Sequence, residues 1–385
     1  MQVLARKPGY IGTVLLALAF SLLSFPLHAH ADGGAPNLAY VAGAAGGISV
    51  IDIAQQKVTS KIAASGDPHT LYLSLDGRFL YVTEPALGRM TMFAAKTGAT
   101  ICSANVPGQP SLLAFDPGAN LLYAAGNQAA SVSTIDPNTC AIKQTIKTGG
   151  PVFGLAVAVV GSGISGGNGN QLWVADTTGL TVYSNDAQIA SIPVPGGPQY
   201  ITIPPGTAVY VTTQNGNIDA IDLNTHKLIP LLSGGSFGPM DYDAITDEVY
   251  VPDRQNDRID VLAPINPGTT TPPKEPSRTI RLGVSPQSIA ITSDGQLGFI
   301  ALAGGNVAML DIPGKQIFNT VFVGGTPHFI ITGLYPPLIA TTPQQAAIWG
   351  TVINIVAYAL VIAVLVVPLL LLRKRTRVHA SKKEP

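Results

Sequence analysis

Residues 68–84 read Pro-His-Thr-Leu-Tyr-Leu-Ser-Leu-Asp-Gly-Arg-Phe-Leu-Tyr-Val-Thr-Glu. Two runs rich in aliphatic and aromatic residues, 71–75 and 79–83, flank Asp76-Gly77. That pair suits a tight turn, because glycine adopts positive φ freely. The stretch predicts two antiparallel strands closed by a hairpin. Its template recurs: Gly-x-Pro or a variant, a short strand, a turn, a Leu/Tyr-Val strand, a polar loop and an Ile-Asp strand. The prolines that open it are Pro68, Pro110, Pro151, Pro198, Pro239, Pro286 and Pro327, spaced 42, 41, 47, 41, 47 and 41 residues apart. About 40–45 residues is the length of one four-stranded propeller blade.

Four strands per repeat can be traced, lettered A to D outward from the proline. Strand A reads HTLYLSL, SLLAF, QYITI, QSIAI and HFIIT in successive matches. Strand B reads LAYVA at 38–42, FLYVT at 79–83, QLWVA at 171–175, AVYVT at 208–212 and EVYVP at 248–252. Strand C reads ISVID, VSTID, IDAID and VAMLD, and its terminal Asp52, Asp136, Asp222 and Asp311 are turn formers. Strand D is the outer one, as in KVTSKIA and AIKQTIK. The array begins with strands B, C and D at 38–63 and ends with a lone A strand at 328–334. Joining the two completes a blade and removes an open sheet edge. The expected fold is all-β: a seven-bladed β-propeller of four-stranded blades with terminal-strand ring closure, followed by one C-terminal transmembrane helix.

LAYVAG, FLYVTE, AVYVTT and EVYVPD, the ISVID-type strands, and SLDGR and TSDGQ resemble the YVTN-type β-propeller repeat family over residues 32–334. The third repeat departs most, with VYSNDAQ in place of its Ile-Asp strand. The resemblance implies a seven-bladed fold and several unlike functions. Such propellers are similar to surface-layer proteins, to periplasmic propellers including some that bind DNA, and to lactonases and quinoprotein or haem-dependent dehydrogenases.

The ends predict export and anchoring. Residues 1–31 read as a signal peptide: Arg6 and Lys7, an apolar stretch at 11–25, and Ala29-His30-Ala31 as a small-x-small cleavage site. The propeller is expected over 32–334 and a linker over 335–347. Residues 348–372 are 25 residues without a charge, a helix of about 37 Å against a hydrocarbon core of about 30 Å. Trp349 lies at its outer edge, and Arg373, Lys374, Arg375 and Arg377 begin the basic tail 373–385. The positive-inside rule puts that tail in the cytoplasm and the propeller outside, in a single-pass protein of the cytoplasmic membrane.

Residues 32–347 hold 14 Lys/Arg against 21 Asp/Glu, a net charge of −7, which argues against a polyanion-binding surface. Cys102 and Cys140 are an even pair in an exported chain, which invites a disulfide. They fall near outer strands of neighbouring repeats with no assurance of approach, and this reading favours two free thiols. Gly161–Gly167 matches both a dinucleotide-type and a nucleophile-elbow pattern. Each needs a following helix, and a strand follows instead, so the stretch reads as a glycine-rich A–B loop. Residues 263–278 insert a stiff Pro/Thr-rich loop between strands C and D of the sixth repeat.

His69 and His328 each follow an anchoring proline in blades that become neighbours once the ring closes. With Glu84, Asp176 and Asp253 at the ends of B strands, they are the ligand-binding candidates at the channel mouth. His69 and His328 are also candidate metal ligands, with Glu84 beside them, and Asp241, Asp243, Asp247 and Glu248 form a second, calcium-type candidate around one A–B turn. His226, in the turn Asn-Thr-His-Lys, reads as solvated. A divalent metal is the one cofactor candidate, and no catalytic residue is assigned. The expected function is a non-catalytic binding or scaffold module at the cell surface or in the periplasm, facing a protein, glycan or small molecule. The alternative is a lactonase-like hydrolase or a cofactor-dependent dehydrogenase working at the channel mouth.

Overall fold

The computed structural model describes residues 37–159, 170–205, 208–266 and 268–333. The leader, the apolar span, the tail and the glycine-rich stretch up to residue 169 lie outside the described residues. Among the described residues no helix is long and apolar enough to cross a membrane.

The described chain folds into seven antiparallel sheets of four strands each. Blade 2 shows the build: A is Leu71–Leu73, B Phe79–Glu84, C Arg89–Ala94 and D Thr100–Asn105. The turn at 74–78 forms as its residues predict. Gly77 has φ 69°, and the Asp76 carboxylate accepts from the Ser74 hydroxyl at 2.7 Å and the Arg78 amide at 3.0 Å. At the C–D turns, Asp52 accepts from Gln55 N–H, Asp136 from Asn138 N–H, and Asp222 from Asn224 and Thr225 N–H.

Burial explains the strand patterns. In blade 1, strand C, Gly47–Asp52, is buried at every position, and strand B, Leu38–Ala44, at nearly every one. Both faces of these strands meet neighbouring blades, so they read as near-continuous apolar runs. Strand D of the same blade, Lys57–Ile62, lies at the rim and buries mainly Ile62.

The core is divided into seven clusters, one between each pair of adjacent blades. The recurrent B-strand aromatics, Tyr40, Tyr81, Trp173, Tyr210, Tyr250 and Phe299, sit in these clusters almost wholly buried. Several clamp the next blade's C–D connection. Tyr81 donates to the Pro137 carbonyl at 3.0 Å, Tyr210 accepts from Ile265 N–H at 2.8 Å, and Lys315 donates to Tyr250.

Ring closure takes the form that the ends of the array suggest. The final A strand, Phe329–Gly333, pairs antiparallel with Leu38–Ala44 in the register Leu38 to Gly333 and Ala42 to Phe329. Ile330 is 2 % exposed, in the cluster between blades 7 and 1. We expect Ile330→Ala to lower unfolding stability by about 2–4 kcal/mol, the range for truncating a buried aliphatic side chain. Deletion of 328–333 should leave an aggregation-prone chain with an open edge, read by sedimentation.

The cysteines correct the sequence reading. Cys102 and Cys140 are joined in a disulfide with Cα atoms 5.9 Å apart. Cys102 lies in strand D of blade 2. Cys140 occupies the C–D turn of blade 3 at φ 58°, which swings its side chain back across the blade interface. Register between blades is a tertiary quantity that residue spacing does not carry. The bridge closes a span of 38 residues, and Cys102→Ser with Cys140→Ala should lower stability by about 3–4 kcal/mol relative to the oxidised chain. Alkylation of the unreduced, denatured protein should modify neither cysteine.

Candidate functional site

The D–A and B–C connections gather at one end of the channel. The His69 amide donates to the Thr83 carbonyl at 2.9 Å, and the His328 amide to the Ala42 carbonyl at 3.2 Å. Each histidine is thus held where strand A of its blade begins. Ring closure brings the two together, with ring centroids 4.6 Å apart and planes inclined at 38°. The adjacency inferred from the repeat therefore holds in the fold. Gly43 makes room for it: a Cβ there would collide with the His328 ring and the Thr326 carbonyl.

The hydrogen bonds assign the protons. His328 Nδ1 lies 2.9 Å from the Thr326 carbonyl, which only accepts, so Nδ1 carries the hydrogen. Nε2 is then a lone pair in the neutral ring, and it is buried without a partner among the described residues. His69 Nδ1 lies 3.3 Å from Thr70 Oγ1, whose own proton goes to the Ser111 carbonyl at 2.5 Å. His69 therefore also donates through Nδ1. Burial first, then His328 and Arg254, pull His69 down to about 4, against Asp67 and the Ser111 carbonyl.

Arg254 completes the mouth, and the sequence reading had passed over it. It follows Asp253 in the B–C turn of blade 6, donates to the Gln287 carbonyl at 3.1 Å, and lies 5.7 Å from the Tyr200 ring centre. Its Nε is buried without a partner among the described residues. The only local signal was an arginine directly after the carboxylate that ends strand B. The mouth thus gathers two imidazoles and a guanidinium, drawn from three blades.

The three carboxylates expected there serve the loops instead. Glu84 is fully buried and accepts from Arg89 Nε at 2.6 Å and Thr91 Oγ1 at 2.5 Å. Asp176 accepts from Gly149 N–H, Thr178 N–H and Thr178 Oγ1 at 2.6–3.0 Å. Asp253 takes Ser236 N–H, Asn256 N–H and Asn256 Nδ2, and pairs with Arg258 at 3.2 Å. Asp176 and Asp253 each staple their B–C turn to the incoming D–A loop of the same blade. Alternation along a strand sets which way a side chain points, and here it turns all three carboxylates into the sheet stack.

The acidic stretch 241–248 is dispersed in the same way. Asp241 lines the channel, bordering two cavities of about 330 and 410 Å³. It accepts from Ile291 N–H at 2.7 Å and Tyr242 N–H at 2.9 Å, and burial pushes it up to about 6. Asp243 caps its own turn through Ile245 N–H and Thr246 Oγ1. Asp247 holds a positive-φ turn position, and Glu248 pairs with Lys315 at 2.6 Å. Among the described residues no three His, Cys, Asp or Glu side chains converge as a metal site. His226, expected to be solvated, packs edge-on against Trp173 with ring centres 5.9 Å apart.

No family model matches the chain, and no curated protein sequence is similar to it. Solved structures share the fold. A Bacteroides uniformis protein assigned as a 6-phosphogluconolactonase aligns at 17 % identity and TM-score 0.61, covering 77 % of this chain and 99 % of its own. The periplasmic gluconolactonase of Pseudomonas aeruginosa aligns at 16 % and 0.60, covering 78 % and 99 %. The dihydro-haem d1 dehydrogenase NirN aligns at 14 % and 0.56, covering 76 % and 74 %. At such identities the likeness is one of fold.

The depressed His69 gives a pH test. Its unfolded value is near 6.5, so between about 6.5 and 4 the unfolded chain binds the proton first. The stability held by neutral His69 is complete above 6.5 and is lost as pH falls toward 4, by at most about 3 kcal/mol. In paired denaturant titrations, His69→Gln should lose correspondingly less stability than the parent over that window.

Proposed function

We propose that the chain is a membrane-anchored, extracytoplasmic propeller of the YVTN-type repeat class that binds a ligand at the channel mouth without transforming it. The observation that carries this reading is the mouth itself. It presents His69, His328 and Arg254, with His328 Nε2 and Arg254 Nε buried and unmatched among the described residues. Asp176 and Asp253 are committed to their loops, and Glu84 is wholly buried, held through Oε2 by Arg89 and Thr91 with Oε1 unpaired among the described residues, so none of the three is exposed at the mouth for acid–base work. The leader at 1–31, the apolar span at 348–372 and the basic residues after it support a propeller outside the cytoplasmic membrane with its tail in the cytoplasm. The ligand is a protein, glycan or small molecule. The net charge of −7 over 32–347 disfavours nucleic acid.

The two lactonases aligned over 99 % of their lengths support a rival reading, a hydrolase at the same mouth. The test uses the full chain extracted in mild detergent. A molecule retained in native mass spectrometry should be lost from Arg254→Gln and His328→Gln, with no turnover of a lactone panel. Lactone hydrolysis abolished by His69→Gln would replace this reading with the rival. Location is read separately, because the described chain has no free cysteine. In Gln128→Cys, an impermeant maleimide should label intact spheroplasts; in Ser381→Cys it should not.

A further inference from the structure

Strand C of blade 5, Asn217–Ile221, and strand C of blade 6, Arg258–Leu262, carry an aspartate at the same position, Asp219 and Asp260. Both are buried, at 5 % and 0 % exposure. The repeat makes each the control for the other. Asp260 accepts from Thr279 Oγ1 at 2.9 Å, across the strand from it, and pairs with Arg258 at 3.1 Å, two residues before it. Blade 5 has replaced both donors. Asn217 stands where Arg258 would be, and Pro230 stands opposite Asp219. Among the described residues, no hydrogen-bond or ion-pair partner reaches the Asp219 carboxylate. Burial alone pushes Asp219 up to about 6, so at neutral pH it is an ionised carboxylate without a counter-charge.

Asp219 also lines a cavity of about 650 Å³ at the outer edge of blade 5, a volume within the range of small-ligand sites. One part of its wall is aliphatic and aromatic, with Leu228, Pro230, Leu232 and Phe237, and the rest is polar, with Asn217, Ser233 and the Asp260–Arg258 pair. Two cations border it. Arg258 is neutralised by Asp253 and Asp260, and Lys274 stands exposed on the Pro/Thr insertion. A buried charge without a partner is costly unless something supplies the missing one. The aliphatic walls select what can carry it: a cation on a methylene stem.

We propose that this cavity is a binding site, separate from the channel mouth, for an alkylguanidinium or alkylammonium group, with Asp219 as its counter-ion. The ligand's cation takes the place that Arg258 fills beside Asp260, and its stem lies along Leu228, Pro230 and Leu232. Such a group arrives either as a free organic cation or as an arginine or lysine side chain of a partner protein.

Four variants of the full chain in detergent test the site, with butylguanidinium as the probe and binding read by calorimetry. The parent should bind it, and Asp219→Asn should bind at least tenfold more weakly. Asp219→Asn should melt no lower than the parent without ligand, because it removes an unpaired charge. Asp260→Asn should melt lower, because it removes one of the two carboxylates that pair with Arg258. Asn217→Arg rebuilds the blade 6 pair within blade 5, and should raise the melting temperature while excluding the probe. Arg254→Gln, at the mouth, should leave probe binding unchanged, so failure at one site is distinguishable from failure at the other. A capped pentapeptide with one arginine that binds more tightly than butylguanidinium, and loses affinity when citrulline replaces the arginine, assigns the site to a partner's side chain. Tighter binding of the free probe assigns it to an organic cation. Equal probe binding by parent and Asp219→Asn, no binding by the parent, or destabilisation by Asp219→Asn equal to that by Asp260→Asn would overturn the proposal.

Discussion

Leu38 to Ala42 pair with Gly333 to Phe329, and the rest of the molecule rests on that one ladder. Each blade buries the faces of its inner strands only against its neighbours. An open arc would leave two sheet faces and a strand edge in water. Closing blade 1 from both ends makes every interface internal, and the seven core clusters follow from it. The same ladder sets the chemistry of the mouth. It carries His328 round to His69, and it demands the bare backbone of Gly43 beneath the His328 ring.

Repetition then governs how polar groups are used. The third position of strand C is Ser49, Thr91, Ser133, Thr181, Asp219, Asp260 and Ala308 in successive blades, buried in each. A methyl is buried here at no polar cost and a hydroxyl at a smaller cost than a carboxylate, which needs a donor. Thr91 meets Glu84, and Asp260 meets Arg258 and Thr279. Asp219 meets none among the described residues, and it lines a cavity that the Asp260–Arg258 pair also borders. A repeat protein thereby displays its own exceptions: a site is where one blade departs from the rule that its siblings keep.

The carboxylates at the ends of the B strands point the same way. Glu84, Asp176 and Asp253 stabilise turns on the face where ligands are expected to arrive, and they shape that face without being exposed on it. What the mouth offers instead is two half-buried imidazoles and a half-buried guanidinium, with the exposed Asp67 carboxylate acting on His69. Propellers of this shape serve hydrolytic, redox and scaffolding roles, so the shape itself selects none of them. The selection rests with the few groups at the mouth and at the rim.

The sequence by itself determined the architecture. Prolines at a steady period, aromatic-Val B strands, Asp-ended C strands and complementary array ends are local or additive features. Each acts through turn chemistry and two-sided burial that do not depend on distant residues. The adjacency of His69 and His328 was legible for the same reason, since ring closure follows from counting strands. Four things were decided only by tertiary structure: the Cys102–Cys140 bridge, the inward turn of Glu84, Asp176 and Asp253, the reach of Arg254 over the mouth, and the isolation of Asp219. Each depends on register between blades and on the direction of a side chain at an interface. Neighbouring sheets set these by packing side chains against one another, and spacing along one chain carries no trace of that packing.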